Sequence, residues 1–140
     1  MQDRRAFLGI AAASLLPASL VPAPLSAQTP APQGPRELAR HALTGPFEGH
    51  DVVLVELNIA PGPGSGTAHR HPGAVLGYVV DGQMRFAINH EPEKLLPVGA
   101  TFFEPSGAVH TTSGSARTDG PTRVVVFMLV PKGSALTSPA

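Results

Sequence analysis

The chain has 140 residues, no net formal charge and only 14% charged side chains. One domain is therefore the ceiling, and nothing in the charge suggests a nucleic-acid partner. The absence of cysteine removes disulfides, zinc–thiolate sites and thiol nucleophiles.

In chain order, Asp3-Arg4-Arg5 is a charged start, followed by the apolar run Ala6 to Leu16. That run is shorter than the ~20 residues needed to span a bilayer, and it fits the apolar region of an export signal. Arg-Arg-x-Phe-Leu resembles the twin-arginine signal, with a cut after Ala27. Residues 1–27 are thus read as a signal peptide, and the mature protein as periplasmic or secreted. Removing them leaves 113 residues with 8 basic and 9 acidic side chains and no further stretch able to cross a membrane. Residues 28–35, rich in Pro and Gln, read as a flexible lead-in. Residues 36–133 are read as the domain and 134–140 as a disordered tail.

Within the domain, Arg36 to Ala42 is either a first strand or a single helical turn. Asp51 to Ala60 is rich in Val, Leu and Ile and reads as a well-covered strand. Ala74 to Val80 is another, closed by the hairpin signal Asp81-Gly82. Gln83 to Asn89 alternates, with Met84, Phe86 and Ile88 on one face and Gln83, Arg85 and Ala87 on the other. Short strands follow at Lys94–Leu96, Ala100–Glu104, Val109–Thr112 and Thr122–Val130. Turns at roughly 8–12-residue spacing, with 16 prolines and 15 glycines, give an all-β barrel or sandwich.

His69-Arg70-His71 carries the chemistry. In extended chain, residues i and i+2 share a face, so both imidazoles converge and Arg70 points away. His110 lies further on, after Gly99, Pro105 and Gly107. The first stretch resembles the first cupin motif, G-x5-H-x-H-x3-E-x6-G, closing at Gly82. The second resembles G-x5-P-x-G-x2-H-x3-N, with Gly99, Pro105, Gly107 and His110 in register. The resemblance implies a cupin jelly-roll β-barrel of the small single-domain, quercetin-dioxygenase-like type. It also implies a divalent transition metal (iron, manganese, nickel, copper or zinc) held by His69, His71 and His110. Two departures from the pattern matter: the motif glutamate falls at Val75 and the asparagine at Gly114. Either three histidines suffice, or the carboxylate comes from elsewhere, or the site has been lost.

Glu104 is the candidate for that carboxylate, as a fourth ligand or a catalytic base. If Phe102 faces the barrel interior, Glu104 shares that face; if Phe103 does, Glu104 lies in solvent or caps the Pro105-Ser106-Gly107 turn. Tyr78 falls on the face opposite the site. His41, His50 and His90 are surface residues, and Met84, Phe86, Phe102 and Phe127 belong to the core. The implied activity is that of a metal-dependent dioxygenase acting on a small chelating organic anion. The alternatives are a non-enzymatic binding cupin for a small ligand, and a non-oxidative isomerase or decarboxylase. The apolar strands Val52–Ile59 and Val124–Val130 need cover on both faces, and the resemblance implies a homodimer.

Overall fold

The computed structural model describes residues 33–62 and 66–140. The export signal read in 1–27, and residues 28–32 of the lead-in, lie outside the described residues. The strands are β1 (Gly34–Ala42), β2 (His50–Ile59), β3 (His69–Arg70), β4 (Ala74–Asp81) and β5 (Gln83–Ile88). They continue as β6 (Lys94–Pro97), β7 (Thr101–Glu104), β8 (Val109–Ser115), β9 (Thr122–Pro131) and β10 (Ser138–Pro139). One sheet has the order β1-β2-β9-β4-β7 and the other β10-β3-β8-β5-β6. Every pairing is antiparallel, as the jelly-roll implied by the sequence requires.

Alternation in the strands sends one set of side chains to a shared core. Val53 and Val55 of β2, Val75 and Val79 of β4, Met84 and Phe86 of β5, Phe102 of β7 and Val124, Val126 and Val130 of β9 meet there. Full burial of such side chains contributes about 1.5–3 kcal/mol each, which holds the two sheets together. Phe102 packs on Phe86 with ring centroids 4.6 Å apart. Its cross-strand partner is Gly77, where a Cβ would lie 2.1 Å from the Phe102 ring. Glycine is needed at that position because the aromatic ring already fills the space.

The segment from Arg36 is a strand, not a helical turn. β1 begins two residues earlier, at Gly34, and pairs with β2 from Gly34↔Asn58 to Ala42↔Asp51. In β5 the alternation holds through Phe86, and then a register shift between Ala87 and Ile88 buries both residues. Phe127 departs from its assignment to the core. β9 turns Val124, Val126 and Met128 inward, which leaves Phe127 on the outer face with 51% of its surface exposed.

Residues 134–140, expected as a disordered tail, are ordered against the domain. Leu136 packs on the core, and Ser138 and Pro139 pair with Arg70 and His69. The path into this segment is set by buried Asp51. Its Oδ2 accepts the Gly133 N–H at 3.1 Å and pairs with the Arg40 guanidinium at 3.1 Å.

Candidate metal centre

His69 of β3 and His110 of β8 are directly opposite each other in the sheet, which places both imidazoles on one face. His71 follows one residue after β3. The His69 ring centroid is 4.9 Å from that of His71 and 5.1 Å from that of His110. His71 and His110 are both buried, whereas His69 is half-buried and lies toward solvent. The three offer ligand atoms that all lie within 4.8 Å of one another, on the scale of a coordination polyhedron with bonds of ~2.0–2.2 Å.

Backbone carbonyls orient two of the rings. His69 Nδ1 is 2.9 Å from the Thr67 carbonyl oxygen, and His71 Nδ1 is 2.7 Å from that of Leu136. A carbonyl only accepts, so each Nδ1 carries the proton, and the lone pair of each Nε2 is left to face the site. On the far side of Arg70, Nη1 donates to the Gly107 carbonyl at 2.7 Å, and the Gly107 N–H donates to the His71 carbonyl at 3.0 Å. Arg70 thus points away from the imidazoles and ties β3 to the turn that precedes β8. The positive φ of Gly107, 75°, suits that turn.

Phe102 is the inward residue of β7 and Phe103 the outward one, so Glu104 shares the interior face and is 2% exposed. Its Oε1 lies 3.3 Å from His110 Nδ1 and its Oε2 lies 3.7 Å from His71 Nε2. Glu104 is also the cross-strand partner of Val75, the position where the family motif carries its glutamate. Two buried atoms of this group, Glu104 Oε2 and His110 Nε2, have no hydrogen-bond partner among the described residues. Leaving such groups unpaired in a dry interior costs several kcal/mol, and a cation between them would satisfy both. The residues present therefore fit a divalent metal ion.

Burial pushes the Glu104 carboxyl up to about 7. Burial, followed by the neighbouring His69 and His71, holds His110 down at about 4. His71 is also lowered, mainly by burial, against the opposing pull of the Leu136 carbonyl. At neutral pH His71 and His110 are thus neutral imidazoles, the form that ligates, while Glu104 stands close to its midpoint.

The group opens onto a cavity of about 280 Å³. Its walls are largely apolar, including Val55, Val75, Phe102, Val126 and Met128, and among the described residues no lysine or arginine lines it. Leu136 and Thr137 form part of the wall. Tyr78 faces outward, and His41, His50 and His90 are exposed. Sequence reasoning missed the Leu136 carbonyl. A backbone acceptor has no residue signature, and a single leucine in a polar stretch shows no strand alternation.

A family model described as a cupin domain matches residues 55–128. No curated protein sequence matches the chain. Among solved structures, the fold is similar to a cupin-like protein, tm1010, from Thermotoga maritima msb8. That match has 19% identity and a TM-score of 0.54, covering 76% of this chain and 74% of that one. DMSP lyase DddQ from Ruegeria pomeroyi DSS-3 is similar at 20% identity and a TM-score of 0.51, covering 66% of this chain and 43% of that one. A structure of the DMSP lyases RdDddP and RnDddQII is similar at 22% identity and a TM-score of 0.52, covering 76% and 51%. The chain therefore spans less than half the length of DddQ. At these identities the likeness is one of fold.

Proposed function

The chain belongs to the cupin domain family, and we propose that it is a metal-dependent enzyme, dioxygenase-like, acting on a small chelating organic anion. The observation that carries this reading is the convergence of His69, His71 and His110, with Glu104 beside them, at the wall of an apolar cavity. His69 and His71 would hold the ion through Nε2, His110 would be the third ligand, and the Glu104 carboxylate lies beside His71 and His110. A divalent ion there would supply Lewis-acid activation of a chelated oxygen donor and, if redox-active, the electron transfer that dioxygen chemistry needs.

The chain's own residues define the rest. Among the described residues no lysine or arginine lines the wall, so recognition of the substrate's anionic head would rest on the ion that the ligand group holds. Val75, Phe102, Val126 and Met128 receive an apolar body and exclude water from it. Glu104, buried at the cavity wall beside His71 and His110, can take or return a proton at its carboxylate.

That last property favours a second reading, a non-oxidative isomerase or decarboxylase in which Glu104 moves a proton at the substrate. Metal analysis of the purified protein, followed by oxygen-uptake assays with catechols, flavonols, diketones and thiols, tests the first reading. Turnover of a substrate under strict anaerobiosis would support the second. A protein that binds no divalent metal at micromolar concentration would refute both.

Two further features belong to the proposal. Arg4-Arg5 with Phe7-Leu8 supports export of the protein already folded, with its metal acquired before crossing. The outer face of the β1-β2-β9-β4-β7 sheet supports a homodimer. Across it runs an apolar row, Ala39–Leu54–Phe127–Leu76–Phe103, in direct cross-strand register. Phe127, Leu76 and Phe103 in that row are each more than half exposed.

A further inference from the structure

We propose that the segment 134–140 is a working part of the site: the Leu136 carbonyl is a positioning group for His71, and the Leu136 side chain closes the substrate cavity. The metal-affinity part of this rests on reading His71 as a ligand.

Three observations converge on it. The first is the hydrogen bond itself. His71 Nδ1 lies 2.7 Å from the Leu136 carbonyl oxygen, a contact between residues 65 positions apart in sequence. That bond places the ring proton on Nδ1 and turns the Nε2 lone pair toward Glu104 and the other imidazoles. In free histidine the Nε2–H tautomer is the favoured neutral form, so the carbonyl opposes the intrinsic preference. A partner that fixes the second nitrogen of a ligating histidine typically governs metal affinity by about 10- to 100-fold.

The second observation is the pairing of the segment with the ligand strand. Ser138 and Pro139 form β10, which lies against β3 with Ser138 opposite Arg70 and Pro139 opposite His69. β3 has only two residues, and β10 gives it a neighbour on the side away from β8. Short strands with an open edge fray. The segment therefore braces the strand that carries His69 while its carbonyl aims His71.

The third is the wall. Leu136 packs against the core and, with Thr137, lines the cavity. The segment is launched in that direction by a built anchor, Asp51 Oδ2, which accepts the Gly133 N–H at 3.1 Å and is held by Arg40. A lone leucine reaching the cavity from an otherwise polar stretch sets one limit on the length of an apolar substrate body.

The test compares the full chain with a variant lacking residues 135–140 and with Leu136→Ala, which keeps the carbonyl and loses the wall. In the metal-free full chain, ¹⁵N NMR of the imidazoles should show His71 as the Nδ1–H tautomer. The deletion should return it toward Nε2–H while circular dichroism keeps the β signal. Titration with Co²⁺ should show affinity lower by about 10- to 100-fold in the deletion and within about threefold of the full chain in Leu136→Ala. The tautomer readout needs no metal, so it separates this inference from the metal reading. His71 found as Nε2–H in the full chain would overturn the proposal even if the deletion variant failed to fold. A deletion that changes neither tautomer nor affinity would overturn it, as would a Leu136→Ala loss of affinity equal to that of the deletion.

Discussion

Glu104→Gln in the metal-free protein is the substitution whose effect depends most directly on the geometry described. The carboxyl is 2% exposed among neutral imidazoles, and burial raises its pKa from 4.5 to about 7. In the unfolded chain it titrates near the ordinary value. Between these two values the folded protein keeps a proton that the unfolded chain has released, so rising pH favours unfolding. The contribution is present in full below about pH 4.5 and is lost as pH rises through about 7. At about 1.4 kcal/mol per pKa unit, the loss is on the order of 3 kcal/mol. Glutamine does not titrate and escapes it. The stability of Glu104→Gln relative to the native protein should therefore rise by about 2–3 kcal/mol between pH 5 and pH 8 and then level off. Urea unfolding of both proteins after exhaustive chelation, at half-unit steps of pH, measures this. With saturating divalent metal the sign should reverse at pH 8, because a cation beside the carboxylate favours its charged form. A stability difference that stays constant across the pH series would refute the burial argument, whatever its absolute size.

Two other outcomes follow from packing. Gly77→Ala should destabilise the protein by roughly 1–3 kcal/mol in urea unfolding, since its Cβ would meet the Phe102 ring at 2.1 Å; an unchanged midpoint would mean that the ring moves freely. Phe127→Arg, on the outer face of β9 beside Leu54 and Leu76, should shift a dimer to monomer in sedimentation while leaving the fold intact. A native protein that sediments only as monomer at tens of micromolar would remove the proposed dimer.

Much of the architecture was legible because strand alternation and turn residues report locally. The spacing of His69 and His71 placed them on one face, and the structure brings His110 opposite His69 as a cross-strand pair. Arg70 points away, as the two-residue period requires. Alternation leaves Glu104 between two registers because Phe102 and Phe103 are chemically equivalent, and only the packing of Phe102 on Phe86, over Gly77, chooses between them. The outward turn of Phe127 is hidden for a related reason. From Val124 to Val130 every residue is apolar, so alternation carries no information there, and Arg123 alone hints at the phase. Ala87 escaped because a bulge changes the period within one strand. The segment 134–140 was invisible for a different reason: two residues of pairing and one carbonyl acceptor leave no periodic signal. What holds it is non-local, the Asp51 contact with Gly133 and the His71 contact with Leu136.

The departure at Val75 gains its meaning from β-sheet register. Val75 and Glu104 face each other across β4 and β7, and both line the cavity. They are therefore two places on one wall from which a single carboxylate can reach the imidazoles. A second carboxylate on the same wall would lie against the first, and the two could not both ionise in a dry site without further positive charge. Valine at 75 and glutamate at 104 are thus complementary choices. The chosen position also ties the carboxylate to the histidines more directly than β4 would. Glu104 is followed at once by the turn Pro105-Ser106-Gly107. Within it, Ser106 Oγ donates to the Pro72 carbonyl at 3.0 Å, the Gly107 N–H donates to the His71 carbonyl, and the Gly107 carbonyl accepts from Arg70. Three hydrogen bonds from the residues just after Glu104 therefore reach Arg70, His71 and Pro72. The carboxylate and the imidazole 3.7 Å from it are held by the same short stretch of backbone, so a displacement of one carries the other with it.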